Sequence, residues 1–306
     1  MTHALEFHQV TCRFRRNVAL HEASFRIPSG SVAALLGPNG AGKTTALRIA
    51  LNLSRPTSGE ARALGTDTRK LGPAELRRIG YVADGMDLPM WMTVDFFLAW
   101  CRPLYPSWDA GLEQTLRQRF DLPAGRKLKA LSRGQRMKVA LVSVLSYRPE
   151  LLILDEPFSG LDPLVRDEFI QGLLELADSE GFTVVISSHD LEETARLADH
   201  FIFLSRGQVT LDESAESLLS RHRRIELVLP EGFGSVPELP FEWLGAETSG
   251  RLLRFTDTRH DGERFRDHFQ RLFPGLPSPD IHPMTLRELF VNLNAAGRLN
   301  REPSEP

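Results

Sequence analysis

"SVAALLGPNGAGKTTALRIALNL", residues 31–53, opens on an apolar run of strand length, turns through glycines and continues with helical periodicity. A strand that feeds a helix through so tight a turn leaves the first helical amides facing the turn, where the partial positive charge of the helix gathers. Residues 37–44, GPNGAGKT, fit the spacing G-x-x-x-x-G-K-[ST] in the strand-to-helix context that the motif requires. Gly37, Gly40 and Gly42 let successive amides face phosphate oxygens. Lys43 can bridge the β and γ phosphates, Thr44 offers a hydroxyl to Mg²⁺, and Thr45 adds a further donor. The stretch predicts a nucleoside triphosphate site on a strand edge, with a helix from Gly42 to about Leu53.

The same alternation recurs downstream. "LLILDE" (151–156) precedes a helix that opens at Asp162-Pro163, an N-cap followed by a proline at the first helical position. "TVVISS" (183–188) precedes "DLEETARLAD". Continuously apolar strands alternating with helices predict a parallel sheet covered on both faces. "LEFHQVTCRFR" and "EASFRIPSG", near the start, are expected as antiparallel edge strands. In an open α/β sheet ligands bind outside the C-terminal strand ends. That edge receives Asp155, expected to hold Mg²⁺ through a water, and Glu156, expected to polarise the attacking water as general base. His189, in "SSHD", ends the next strand and is expected to meet the γ phosphate.

The chain has 306 residues, 42% of them hydrophobic, enough for one large domain and a small one. With 37 basic and 40 acidic residues the net charge is −3, no field that favours nucleic acid, and no nucleic-acid partner is expected. Cys12 and Cys101 lack metal-ligand spacing; they fit a reducing cytoplasm and equally two ordinary apolar residues. The start lacks a targeting pattern and no apolar run nears the ~20 residues that span a bilayer. From Met92 to Pro149 the pattern is helical, with Trp91 at its start and Trp100 and Trp108 within it, which suggests an inserted helical subdomain. Phe96, Phe97 and Trp100 share one helical face and are expected to be its core. A new unit of strands ("RIELVLP", "RLLRFTD") and amphipathic helices ("GERFRDHFQRLF", "TLRELFVNL") is expected after about Arg221, and "NREPSEP" is expected to be disordered. The expected architecture is α/β: residues 1–220 with a mostly parallel sheet, antiparallel edge strands and a helical subdomain at about 85–150, then a small α/β domain at 221–306.

"LSRGQRMKVALVSVL", residues 131–145, sets Ser132 and the Gly134 amide at the positive end of a helix. Alone the motif is weak, and an ordinary helix cap is the favoured reading. In order with GPNGAGKT, LLILDEP, SGLD (159–162) and His189, it makes the chain closely resemble the nucleotide-binding subunit of ATP-binding cassette (ABC) transporters over roughly residues 4–220. The resemblance implies a P-loop NTPase cassette that binds ATP and Mg²⁺, with Asn39 and Ala41 joining the P-loop contacts. It implies two subunits packed head to tail as a homodimer or heterodimer. Ser132, Gly134 and Gln135 of one would cover the γ phosphate held by the other, Asp162 would link the two sites, and Phe14 would stack on adenine. Two residues depart from the usual pattern. Arg133 replaces a glycine, and Asp84, in "IGYVADGM", stands where a glutamine is most common; an Asp there would bind the metal shell directly or through water. "MWMTVDFFLAW", "LYPSWD" and "MTLRELFV" resemble the ATPases of small two-component bacterial exporters of drugs, peptides or lipids. These lie at the cytoplasmic face of the membrane and pair with a separately encoded permease. Met86, Leu88, Met90 and Trp91, in the loop from Asp84, are the expected docking residues. A soluble cassette acting on ribosome or DNA would carry tandem cassettes or a long coiled coil. A non-hydrolysing nucleotide-gated module is opposed by Glu156 and His189.

Overall fold

The computed structural model describes residues 2–15, 17–295 and 299; the tail expected to be disordered lies outside the described residues. Its contacts divide the chain into two units, Met1–Asp212 and Glu213–Pro306.

The first unit begins with β1 (His3–Phe14), β2 (Asn17–Pro28) and β3 (Val32–Leu36), followed by helix α1 (Lys43–Ala50). Next come β4 (Ser58–Ala63), β5 (Thr66–Asp67), α2 (Pro73–Leu76) and β6 (Ile79–Ala83). Three helices follow without an intervening strand: α3 (Val94–Cys101), α4 (Ala110–Arg119) and α5 (Arg133–Leu145). Then β7 (Leu151–Asp155), α6 (Pro163–Glu180), β8 (Thr183–Ser188), α7 (Leu191–Thr194), β9 (His200–Ser205) and β10 (Gln208–Ser214) complete the run.

Six strands form one sheet in the order β10-β9-β3-β8-β7-β6, with β9, β3, β8, β7 and β6 parallel. Side chains alternate faces along a strand, and both faces are covered here, which is why LLIL is apolar throughout. Leu151 and Ile153 enter the core shared with α1 and the antiparallel strands, while Leu152 and Leu154 enter the core shared with α5 and α6. β1 and β2 do pair antiparallel, but in a separate sheet, β2-β1-β4-β5, whose apolar face (Phe7, Phe25, Ile27) packs into the first of those cores. α1 stops at Ala50, three residues short of the expected end, because the chain turns through Leu51 and Asn52, the latter at φ +57°.

α3 corrects one expectation. Its buried positions are Val94, Phe97, Leu98 and Cys101, spaced i, i+3, i+4, i+7, so Phe96 and Trp100 fall on the opposite side and are about half exposed. The helix carries large apolar residues on both sides, with Asp95 its one charged position, and periodicity could not choose which face the core takes. Cys12 and Cys101 are buried and unpaired.

The second unit holds α8 (Ala215–Arg221), β11 (Arg223–Val228), β12 (Trp243–Ser249), β13 (Leu252–Asp257), α9 (Gly262–Leu272), β14 (Asp280–Pro283) and α10 (Leu286–Ala295). Its sheet, β12-β13-β11-β14, is antiparallel throughout. Phe265 and Phe269 of α9, with Phe273 just after it, close one face over Trp243, Leu253 and Phe255.

Candidate nucleotide site

β3 is buried between two parallel neighbours, so the turn after Leu36 must leave the sheet at its C-terminal edge. Gly42 is the N-cap of α1 at φ +107°, and no side chain caps this helix; nor is there an acidic residue in its first turn. A Cβ at Gly42 would stand 2.4 Å from the Ala19 carbonyl oxygen, so only glycine fits. The open first turn of α1 is thereby left for an anion. Asn39 and Gly40 are exposed on the turn, Ala41 is buried under it, and Thr45 is half-buried in the first helical turn.

Lys43 begins α1 and is only 6% exposed. Its ammonium donates to the carbonyls of Gly37 (2.7 Å) and Pro38 (3.3 Å) and pairs with Glu156 Oε1 at 3.2 Å. The next residue, Thr44, is exposed and donates through Oγ1 to Asp155 Oδ1 at 3.3 Å. Asp155 is otherwise buried and accepts from the Ser187 hydroxyl of the adjacent β8. A hydroxyl and a carboxylate that already converge form the hard oxygen donor pair that suits Mg²⁺. Among the described residues no cluster of three His, Cys, Asp or Glu side chains could hold a metal alone, so phosphate and water oxygens would have to complete its shell.

Glu156 is the strained residue of the edge. It follows β7 at φ +50°, a left-handed conformation costly for any residue with a Cβ, and its N–H donates to the Ser187 hydroxyl at 2.9 Å. That turn aims the carboxylate back across the edge, where Lys43 holds one oxygen and His189 Nδ1 lies 2.9 Å from the other. His189 is itself about half exposed, beside a cavity of about 190 Å³ lined by Glu156, Gly160, Arg166, Ser188 and Asp190 among others. Lys43, Thr44, Asp155, Glu156 and His189, spread over 147 residues of sequence, are thus joined in one chain of contacts. Ser187 is the member that sequence reading missed. Its signal was its place in register opposite Asp155.

Ser132 and Gln135 form a separate group. Ser132 is the N-cap of α5; its hydroxyl accepts from the Gln135 N–H at 3.2 Å, while the Gln135 side chain accepts from the Ser132 N–H at 3.1 Å. This capping box offers the Ser132 hydroxyl and the buried Gly134 at the helix end. Asp162, exposed, precedes α6 and accepts through its backbone from the Arg166 N–H at 2.9 Å. Phe14 ends β1 and is about half exposed. The Asp84 carboxylate is held by Arg133 and does not join the Thr44–Asp155 pair.

Comparison with known proteins agrees with this geometry. The family model described as ABC transporter matches residues 20–159, and one described as an AAA domain, putative AbiEii toxin, matches residues 124–195. The sulfate/thiosulfate import ATP-binding protein CysA of Salmonella typhi is 36% identical over 215 residues, 67% of this chain and 59% of the relative. CysA of Escherichia coli K12 is 35% identical over the same length, so the chain spans about six-tenths of the curated relatives it matches. Among solved structures, an ATP-binding subunit of an ABC transporter superposes with a TM-score of 0.65 at 26% identity, over 71% of this chain and 92% of the other. A bacterial ABC transporter cassette solved as a dimer superposes at 0.62 with 27% identity, over 69% and 98%. A glycine turn that leaves a helix end open to phosphate, a lysine and two carboxylates meeting beneath it, and relatives that share this cassette place the chain in the ABC transporter ATP-binding family.

Proposed function

We propose that this chain is the ATP-hydrolysing motor of an ABC transporter, acting on a separate permease at the cytoplasmic face of a membrane. The observation that carries the proposal is the position of Glu156 between Lys43 and His189. An arriving γ phosphate competes for the Lys43 ammonium, a charge-assisted contact stronger than that to two carbonyls. Glu156, released from Lys43 but still bonded to His189, can then accept a proton from a water beside the phosphate. Bound through Thr44 and Asp155, Mg²⁺ would offset charge on the phosphates. Ser132 and Gly134, presented at the end of α5, serve the site of a second chain in this proposal, with Asp162 between the sites and Phe14 against the adenine.

Steady-state hydrolysis tests it. Lys43→Ala should lose at least about a hundredfold, the usual cost of removing one preorganised charge-stabilising group. Glu156→Gln should still bind ATP and accumulate a dimer on gel filtration. Full activity in Lys43→Ala would sink the proposal.

No helix among the described residues is long and apolar enough to cross a membrane; in this proposal the membrane-spanning path belongs to the separate permease. We place the permease contact at the apolar groove of about 700 Å³ between the β6 edge and α3, lined by Leu53, Met86, Leu88, Trp100 and Leu104 among others. Leu88 packs inward, whereas Met86, Met90 and Trp91 are exposed, Trp91 by 66%, with its ring 5.9 Å from the ring of exposed Phe96. Exposed aromatics beside a groove are the composition of a binding surface. The named relatives serve import, so export draws no support from them, and the proposal is confined to the motor.

A further inference from the structure

The two residues that depart from the family's usual pattern, Arg133 and Asp84, are joined to each other. The Asp84 N–H donates to the Asp155 carbonyl at 2.9 Å, which fixes Asp84 beside the strand end that carries both carboxylates. Its own carboxylate would be a third negative charge at that edge. Arg133 takes up that charge: Nε donates to Asp84 Oδ1 at 3.1 Å, and Nη2 bonds the same oxygen. The other side of the guanidinium lies on Gly160, at φ +65° in the turn after β7, where a Cβ would stand 2.3 Å from Nη1. One guanidinium therefore touches the loops that follow β6 and β7, while its backbone is the first residue of α5, between Ser132 and Gly134.

We propose that Arg133 is a positioning residue that acts through Asp84. The ion pair clasps the Ser132–Gly134 end of α5 to the carboxylate edge of the same chain, and the two residues work only as a pair. This rests on the ATPase reading above. The chemistry makes the departures interdependent. A glycine at 133 has nothing to reach Asp84 with and would leave its charge unpaired beside Asp155 and Glu156. A glutamine at 84 has no charge for the fork of Arg133. Restoring one usual residue should therefore harm the protein, and restoring both should not.

The test compares wild type, Arg133→Gly, Asp84→Gln and the double variant, with the charge swap Asp84→Arg/Arg133→Asp as a second pair. The partners are 44% and 27% exposed, so solvent screens the pair and the coupling is modest. Each single variant should lower kcat about fivefold, with KM for ATP little changed because the P-loop is untouched. The double should return to within about twofold of wild type, and the loss in the singles should shrink at high salt. A double that loses the product of the two single losses, or singles that lose nothing, would overturn the proposal. Thermal unfolding of the same nucleotide-free chains runs in parallel; if the glycine variant fails to fold, Arg133→Ala with Asp84→Ala replaces that cycle. If wild type hydrolyses no ATP, the motor reading fails by itself. The clasp is then decided by the unfolding midpoints, where a coupling of about 2 °C supports it and strict additivity overturns it.

Discussion

At Glu156 the backbone, and not only the side chain, is specialised: a left-handed turn at a residue with a Cβ is tolerated because it brings one carboxylate between Lys43 and His189. Glu156→Gly should therefore relieve roughly 1 kcal/mol of local strain while removing the proposed base, giving a chain at least as stable in urea that hydrolyses no ATP. Equal losses of stability and activity would show that the turn serves folding instead. Gly42 makes the opposite prediction. Gly42→Ala meets both the positive φ and the Ala19 carbonyl, so about 2 kcal/mol or more of stability should be lost, read as a lower urea midpoint at unchanged slope.

Among the elements, α4 shows how the helical segment is pinned. Glu113 is buried, accepts from Arg102 Nε and Nη2 at 2.8 and 2.9 Å and from the Trp108 indole at 2.9 Å, and meets Arg117 at 3.3 Å. Burial pushes its carboxyl up, but Arg102, Trp108 and Arg117 outweigh burial and leave it below the ordinary glutamate value. Glu113→Ala should cost about 3 kcal/mol, because it removes the shared acceptor of three side chains at once. A midpoint shift inside error would refute that reading. In the second unit, His222, between α8 and β11, is buried and bonded through Nδ1 to the Leu218 carbonyl at 2.7 Å. Burial lowers its pKa from 6.5 to about 4. The unfolded chain therefore binds the proton first: stability is intact above about pH 6.5 and declines by roughly 3 kcal/mol as the pH falls toward 4. His222→Gln keeps the donor and should flatten that part of the pH profile; an unchanged profile would exclude His222 as its source.

For the whole molecule, the decisive issue is whether the P-loop and the Ser132 end of α5 serve one site or two. If each site joins two chains, Lys43→Ala and Gly134→Glu are each inactive alone, yet their mixture forms heterodimers with one intact site. Hydrolysis should return on mixing to about a quarter of the wild-type rate: half of the dimers are heterodimers, and each has one working site of two. An ATP-dependent cross-link between cysteines placed at Ser132 and Gly40 that forms only within one chain would overturn the shared-site arrangement. At the proposed permease contact, a charged residue at Met90 or Trp91 should abolish transport while leaving ATP binding and the unfolding midpoint unchanged. A variant that unfolds would show instead that these side chains pack the helical segment.

What the sequence determined by itself were the local, periodic and contiguous features. The 37–44 turn, the apolar strands at 31–36, 151–154 and 183–186, the α6 start at Asp162-Pro163 and the Ser132 cap are each set by neighbours in the chain, through glycine geometry, burial on two faces and capping. Tertiary structure alone decided what depends on residues far apart. It chose which side of α3, apolar but for Asp95, faces inward, exposing Phe96 and Trp100, because that choice is made by the helices packed against it. It gave β1 and β2 a sheet with β4 and β5, whose short, polar-flanked strands carry little signal of their own. It set Ser187 against Asp155 and Arg133 against Asp84, pairs 32 and 49 residues apart. Sequence shows the polar groups of such residues, but only the sheet register and the path of α5 bring them within bonding distance.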